Sequence, residues 1–386
     1  MAAMITTPRL MAVGGGALAE LPSMLTQFGL ARPLIVTDPY LVSSGHLERV
    51  TAHLDRSQVP WTVFSDTVPD PTTAVVKIGA GRLAEGNFDC LMAIGGGSSI
   101  DTAKAMSVLF ANGGQMRDYK VPVEIPRVGP PVVAIPTKAG TGSEVTRFTV
   151  ITDTETDEKM LIAGLACCPI AAIVDYELTL SMPLRLTADT GLDSLTHAIE
   201  AYVSRRASPF TDGLAKSAMG LIARHIRTAC AEPANRPARE AMMLGATTAG
   251  MAFSNASVCL VHGMSRPIGA FFHVPHGLSN AMLLPEITAF SASGALDRYA
   301  DCARAMGVAE EGEGSQSAVA RLLDELRRLN QDLAVPTPRA WGIDARRYEE
   351  LLPVMASQAL ASGSPGNNPR VPTPEEIIDL YRRAYE

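Results

Sequence analysis

The sequence is short of cysteine and has no long apolar run, and each shortage excludes a class of protein. Six cysteines occur in 386 residues, and no pair has Cys-x-x-Cys spacing. This pattern favours reduced core thiols over a disulfide framework or a zinc knuckle. No apolar run reaches the roughly 18 residues that a membrane span requires, and the N-terminus lacks the features of a signal peptide. We therefore expect a cytoplasmic protein with no membrane partner.

Clusters of positive charge are also missing. Lys and Arg total 33 against 40 Asp and Glu, and the formal net charge is −7. The densest basic clusters are only pairs, such as Arg205-Arg206, whereas nucleic acid requires a clustered basic surface. No nucleic-acid partner is expected. The apolar share of 47% and the charged share of 19% are ordinary for globular proteins, and the length suggests two domains.

The two halves of the chain differ in their hydrophobic pattern. Short apolar, β-rich runs at 33–37, 61–64, 90–94, 132–135 and 171–174 alternate with helical segments such as 72–85 and 98–110. This alternation predicts an α/β domain, residues 1–182, built on a parallel sheet. Later segments such as 190–203, 209–230 and 238–255 are long and amphipathic, and they predict an all-α domain over 183–386. Thr373-Pro374-Glu375-Glu376 predicts the start of the last helix.

The first motif with chemical content follows an apolar run. Gly95-Gly96-Gly97-Ser98 lies between a predicted strand and a predicted helix. Glycines allow close backbone approach, and a helix N-terminus offers free N–H groups to a pyrophosphate. The alternative is a tight strand-to-helix turn, which glycine also favours. The usual G-x-G-x-x-G is absent, so the motif is not the standard Rossmann fingerprint.

A second polar loop supports the nucleotide interpretation. Thr137, Thr141 and Ser143 follow the strand at 132–135, and ligands of open α/β sheets bind beyond the carboxyl ends of strands. Two such loops suit a dinucleotide better than two coincidental turns. Asp38 ends an earlier strand, where a carboxylate can bond the ribose hydroxyls and repel a 2′-phosphate, which favours NAD over NADP. The alternative for Asp38 is a turn or helix-cap residue.

Asp193, His197, His262 and His276 form a candidate metal site. Asp193 and His197 are four apart, so they share a helix face, and both later histidines are followed by glycine. An Asp–His helix pair, or a satisfied core histidine, would explain each of them singly. One four-ligand site explains them together. A carboxylate with three imidazoles suits Fe²⁺ or Zn²⁺ and leaves room for a substrate oxygen.

These motifs together resemble the iron-containing (group III) alcohol dehydrogenase family. The similarity extends over essentially the whole chain, including Gly366-Asn367-Asn368-Pro369-Arg370. It implies a dehydroquinate synthase-like fold, with an α/β dinucleotide-binding domain, an all-α metal-binding domain and a cleft between them. It also implies that Asp193, His197, His262 and His276 bind Fe²⁺, sometimes replaced by Zn²⁺. Homodimers are common in the family, and we expect one here.

The resemblance also implies cofactor and substrate contacts. Phe148 and Phe253 fall where the family lines its substrate pocket, Lys159 matches a lysine that touches the cofactor ribose, and His273 is a candidate proton relay. The residues expected to bind NAD are Asp38, Gly95, Gly96, Gly97, Ser98, Asp101, Thr137, Thr141, Ser143 and Lys159.

Arg266 departs from the family pattern. Similar enzymes often carry a second histidine in the run His-Gly-Met-x-His, and this chain has Arg266 at that position. Arginine cannot relay a proton near neutral pH, but its fork suits a carboxylate or a phosphate. We hypothesise that Arg266 binds an anionic substrate group or touches the cofactor. The alternative is an outward-facing structural arginine.

The expected function is hydride transfer between NAD and a small alcohol, aldehyde or ketone, with the metal as Lewis acid. One alternative is a reductase of an anionic keto- or hydroxy-acid type substrate such as maleylacetate. A second is a metal- and NAD-dependent cyclising synthase, which needs more basic residues than surround His262. A third is a silent metal or nucleotide binder, or a structural subunit.

Overall fold

Every strand lies before residue 175 in the structure, a computed structural model that describes residues 3–156 and 158–386. The strands are β1 (Leu10–Val13), β2 (Pro33–Val36), β3 (Thr62–Phe64), β4 (Cys90–Gly95), β5 (Val132–Pro136), β6 (Phe148–Asp153), β7 (Glu158–Ala163) and β8 (Ala171–Val174). The helices among them are α1 (Leu21–Gln27), α2 (Pro39–Ser43), α3 (His46–Arg56), α4 (Thr73–Glu85) and α5 (Gly97–Asn112). These elements belong to one compact unit, Met4–Ser181.

Six of the strands form one sheet in the order β1-β8-β5-β4-β2-β3, and every neighbouring pair is parallel. The strands β2, β4, β5 and β8 are buried along their whole length, as expected when helices cover both faces. The parallel sheet and its five predicted strands are therefore confirmed.

Two features of this unit were not predicted. The edge strand β1 is only partly buried, so its sequence lacks the continuous apolar run of an inner strand. The strands β6 and β7 form a separate antiparallel hairpin, in which buried and half-buried residues alternate along β6. This period of two is typical of a sheet with one covered face.

The rest of the chain, Met182–Glu386 in the main, is a second compact unit and is helical throughout. Its helices are α6 (Leu184–Val203), α7 (Pro209–Ala231), α8 (Arg236–Ala256), α9 (Leu260–Phe272), α10 (His276–Ala292), α11 (Leu296–Ala305), α12 (Ser315–Asp332), α13 (Pro338–Trp341), α14 (Ala345–Ala361) and α15 (Pro374–Tyr385). The predicted capping box is confirmed, because Thr373 and Glu376 exchange side-chain and backbone bonds at the start of α15. The all-helical prediction is confirmed as well.

The state of the cysteines and the length of the apolar helices agree with the predictions made from the composition. All six cysteines are free, and five of them are buried. Among the described residues, no single helix has both the length and the apolar composition to cross a membrane. The helices α8 and α9 reach that composition only as a pair, and they are bent by 104° relative to each other.

Candidate metal centre and nucleotide loops

Three of the four predicted metal ligands converge in the helical unit. Asp193 lies on α6, His262 on α9 and His276 at the first position of α10. The Oδ1 atom of Asp193 is 3.6 Å from Nε2 of His262 and 3.8 Å from Nε2 of His276. One ligand atom from each residue lies within 4.8 Å of the others, which is a spacing that one metal ion can bridge.

His197, the fourth predicted ligand, lies directly beside this cluster. Its ring stacks on His262 with a centroid distance of 4.4 Å, and its Nδ1 is 4.0 Å from Oδ1 of Asp193. Nδ1 is buried and has no hydrogen-bond partner among the described residues. Burial lowers the pKa of His197 to about 3, so the ring is neutral at physiological pH. A neutral imidazole is the form that binds a cation.

Glu200 supports the cluster, although no role was predicted for it. Its Oε2 atom lies 2.6 Å from Nδ1 of His262, and its carboxylate accepts bonds from the backbone N–H groups of Cys259 and Val261. A carboxylate only accepts hydrogen bonds, so Nδ1 of His262 carries the hydrogen and Nε2 keeps its lone pair for the centre. The signal was present in the sequence, because Glu200 follows Asp193 by seven residues, two helical turns along α6.

The charges of the cluster favour an ionised carboxylate. Burial on its own raises the pKa of Asp193, but the imidazoles of His197, His276 and His262 outweigh it and hold the pKa well below its usual range. Burial lowers the pKa of His262, and the carboxylates of Glu200 and Asp193 reverse that shift. The helical unit therefore has a buried anion surrounded by imidazole nitrogens.

The remaining predicted residues of the helical unit lie on α8 and α9. The ring of Phe253 stacks on His197 with a centroid distance of 4.1 Å, so it borders the candidate centre. Arg266 follows His262 by one turn, and its charge is one cause of the lowered pKa of His197. His273 is exposed and ends α9 in a left-handed conformation, with φ 54°. Phe148 belongs to the other unit, as the first residue of β6.

In the α/β unit, the predicted nucleotide loops follow neighbouring strands. The strands β5, β4 and β2 are adjacent and parallel, so the segments after them leave the same edge of the sheet. The two loops approach so closely that a Cβ atom on Gly96 would lie 2.9 Å from the Lys138 side chain, and one on Gly97 would lie 3.1 Å from Thr141. Thr137 is buried, and its N–H donates to the carbonyl of Gly95 over 3.0 Å.

The start of α5 has no side-chain cap. Gly96 occupies the cap position, Gly97 and Ser98 begin the 16-residue helix, and within residues 3–156 and 158–386 no side chain caps its first turn. Those groups are available to an anion. Asp38 does cap a helix, because its Oδ1 accepts the N–H of Leu41 over 2.9 Å.

Asp101 and Ser143 belong to a buried polar network. The hydroxyl of Ser143 donates to Asp101 over 2.6 Å, and Asp101 also accepts the N–H of Val150. Lys104, which was not predicted, donates to Ser143 and to oxygens of Thr146 and Phe148. Burial raises the pKa of Asp101 and lowers the pKa of Lys104. The network ties the second loop to α5.

Lys159, the last residue predicted to bind the cofactor, lies on β7. Its Nζ atom forms an ion pair with Asp70 over 2.9 Å, and about a quarter of its side chain is exposed. Asp70 is largely exposed, and the backbone there is left-handed, with φ 51°.

Comparison with known proteins agrees with these features over the whole chain. Residues 8–176 match the model of the iron-containing alcohol dehydrogenases, and residues 187–385 match the C-terminal model of the same family. The chain is 39% identical over 377 residues to lactaldehyde reductase of Escherichia coli, which covers 96% of this chain and 97% of that protein. It is 37% identical over 372 residues to NAD-dependent methanol dehydrogenase of Bacillus methanolicus, with coverage of 96% and 97%.

A solved structure, that of a 1,3-propanediol oxidoreductase, superposes on the full length of both chains with a TM-score of 0.96 and 33% identity. The match defines an α/β plus all-helical oxidoreductase. The chain belongs to the iron-containing alcohol dehydrogenase family. The predictions of family, fold class and oxidoreductase activity are thereby confirmed.

Proposed function

We propose that this enzyme oxidises small alcohols, and reduces the corresponding aldehydes or ketones, with NAD and one Fe²⁺ or Zn²⁺ ion. The observation that carries the proposal is the convergence of one buried carboxylate and two imidazole nitrogens within 4.8 Å. The metal ligands would be Asp193, His197, His262 and His276. The α/β unit would be the dinucleotide-binding domain, and the helical unit would be the metal-binding domain.

The residues of the helical unit fit such an ion. The donor set is one carboxylate and three imidazoles, which suits borderline divalent ions rather than Mg²⁺ or Ca²⁺. The buried Nδ1 of His197 lacks a hydrogen-bond partner in the described chain, so this ring has a free edge beside Asp193. The ligand His262 is oriented by a carboxylate, as ligating histidines usually are.

The α/β unit fits a dinucleotide in the same way. The uncapped N-terminus of α5 supplies backbone N–H groups, and a Cβ atom on Gly97 would make a tight contact of 3.1 Å with Thr141 of the neighbouring loop. Thr137, Thr141 and Ser143 supply hydroxyls beside these groups. Oδ1 of Asp38 caps α2, and Oδ2 is the oxygen that would accept a hydrogen bond from a ribose hydroxyl. Its negative charge still disfavours a 2′-phosphate.

When bound, the ion supplies Lewis acidity toward the substrate oxygen and the nicotinamide supplies hydride exchange. The chain's own residues position and shield these groups. Glu200 holds His262 in the tautomer whose Nε2 is free, and Phe253 covers the ring of His197 with an apolar face. His273 is exposed, and its role as a proton relay stays a prediction.

Metal removal tests the proposal. Enzyme stripped with a chelator should lose about 10³-fold or more in kcat/KM, because several kcal/mol of charge stabilisation at the substrate oxygen disappear. Activity should return with Fe²⁺ or Zn²⁺. The measurement is NADH formation from short alcohols, diols and hydroxy acids, with NADP as the comparison cofactor. Equal activity with and without metal would refute the metal-dependent mechanism.

Arg266 supports a second candidate, activity on a substrate with an anionic group. The only hydrogen bond of its side chain within the described residues goes from Nη1 to Oγ of Ser364 over 3.3 Å, and it forms no ion pair there. Burial lowers its pKa, yet the guanidinium has five N–H donors and stays charged. A carboxylate, sulfonate or phosphonate on the substrate would satisfy the free donors.

Arg266→His should therefore shift specificity toward uncharged substrates. We expect the ratio of kcat/KM for 4-oxobutanoate to that for butanal, which has the same chain length, to fall about 10- to 100-fold, the value of a charge-assisted hydrogen-bond pair. Arg266→Lys keeps the charge without the fork and should give an intermediate ratio. An unchanged ratio in Arg266→His would rule out the anionic subsite.

The homodimer and the cytoplasmic location stay predictions. Size-exclusion chromatography with light scattering tests the first, and fractionation of the source cells tests the second.

A further inference from the structure

The side-chain amide of Asn280 lies where the metal ligands converge. Its Nδ2 atom is 2.7 Å from Oδ1 of Asp193, 3.1 Å from Nε2 of His262 and 3.3 Å from Nε2 of His276. Oδ1 of Asp193 is an acceptor, and so is Nε2 of His262, because Nδ1 of that ring bonds Glu200. The amide nitrogen that faces them carries two hydrogens, so it can donate to at most two of the three atoms at a time. The acceptor set also requires that the nitrogen, rather than the oxygen, faces the ligands.

The side chain of Asn280 makes no other polar contact within the described chain. It is fully buried on α10, one helical turn after His276. Its Oδ1 atom is buried without a hydrogen-bond partner. A buried amide with one half unpaired is unfavourable for stability. The contribution of Asn280 to stability therefore comes from the hydrogen bonds between its Nδ2 group and the ligands.

The amide and a cation need the same lone pairs. An imidazole nitrogen without a hydrogen has a single lone pair, and the Nε2 lone pair of His262 is free for the centre because Nδ1 bonds Glu200. A lone pair that accepts an N–H bond cannot bind a metal ion at the same time. Each bond that Asn280 makes to an imidazole therefore excludes one metal–ligand bond.

We propose that Asn280 is a positioning residue that competes with the metal ion. In the metal-free protein its amide donates to Oδ1 of Asp193 and to one imidazole Nε2 at a time, which holds these ligands close together. The bond to an imidazole must break before that nitrogen can bind the ion. Asn280 thus stabilises the metal-free protein and lowers the affinity of the centre for the ion. The inference rests on the proposed metal centre and concerns its affinity for the ion.

The experiment compares Zn²⁺ binding to the metal-stripped full-length enzyme and to Asn280→Leu, with Zn²⁺ alone as the ligand. Leucine has a similar size and no donor. The metal-free variant should melt at a lower temperature than the metal-free wild type. Its Kd for Zn²⁺, from competition with a chelator, should be roughly tenfold tighter, since about 1.4 kcal/mol of competing hydrogen bonds is removed.

Asn330→Leu is a matched control. Asn330 lies on α12 and donates through Nδ2 to the carbonyl of Ala281 on α10, and its Oδ1 is likewise buried without a partner in the described residues. Its loss should lower the melting temperature without changing the Kd for Zn²⁺. If Asn280→Leu does not fold, Asn280→Ser offers one hydroxyl hydrogen in place of two and should tighten binding by a smaller factor.

The outcomes distinguish a failure of the competing role of Asn280 from a failure of the proposed metal centre. An unchanged or weaker Kd in the Asn280 variant overturns the competing role and leaves the metal centre intact. Wild-type enzyme that binds no Zn²⁺ at all overturns the proposed centre itself. A tighter Kd with a lower metal-free melting temperature, and no affinity change in Asn330→Leu, supports the inference.

Discussion

Asp193→Asn is expected to abolish metal retention and to lower kcat/KM for alcohol oxidation by about 10³-fold or more, several kcal/mol in the transition state. Oδ1 of Asp193 lies within 4.0 Å of a ring nitrogen of His197, His262 and His276. Asparagine keeps the shape and removes the charge. Elemental analysis after dialysis measures the metal, and NADH formation measures the activity.

Asp189→Asn is the control for this prediction. Asp189 precedes Asp193 by one turn on α6, and its carboxylate pairs with Arg185 rather than with an imidazole. This variant should retain the ion and most of the activity. If Asp193→Asn kept a full complement of metal, the assignment of the centre would be wrong.

Lys104→Met is expected to lower the free energy of unfolding by about 3–5 kcal/mol. The change removes a fully buried ammonium, so the buried carboxyl group of Asp101 loses the positive charge that opposes the effect of burial on it. A buried carboxylate left without its neighbouring cation is strongly destabilising. The hydroxyl of Ser143 and the carbonyl of Phe148 also lose a donor. Urea denaturation followed by circular dichroism measures the effect.

The double variant Asp101→Asn with Lys104→Met should lose less than the sum of the two single variants, since both charges are then absent. The matched control is Lys120→Met, the same substitution in an exposed ion pair with Glu158 of the same unit. It should change stability by less than about 1 kcal/mol. Equal losses in Lys104→Met and Lys120→Met would show that the buried network does not stabilise the fold.

The fold was predictable where burial is uniform. The strands β2, β4, β5 and β8 are buried on both faces, so their sequences are continuous apolar runs that need no knowledge of the partner strand. The edge strand β1 pairs only with β8 and is half exposed, so its four residues carry no comparable signal. Its existence depends on a partner more than 150 residues away, which local pattern does not encode.

The candidate site was predictable only in its residue types. The motifs around Asp193, His197, His262 and His276 marked candidate ligands because of helical spacing and neighbouring glycines. Glu200 lies two helical turns after Asp193, and Asn280 lies one turn after His276. No role was predicted for either residue. Such spacings occur in every helix, and only convergence in space distinguishes a supporting residue from a neighbour.

By itself, the sequence determined the class of the fold, the family and the chemical types of the predicted metal ligands. These follow from hydrophobic period and from motifs that a helix or a turn presents locally. Only the tertiary structure decided which groups share the centre: the carboxylate of Glu200 behind His262, the ring of Phe253 on His197, and the amide of Asn280 facing the ligands. Those contacts join α6, α8, α9 and α10, and side-chain distances between helices are set by packing rather than by local sequence.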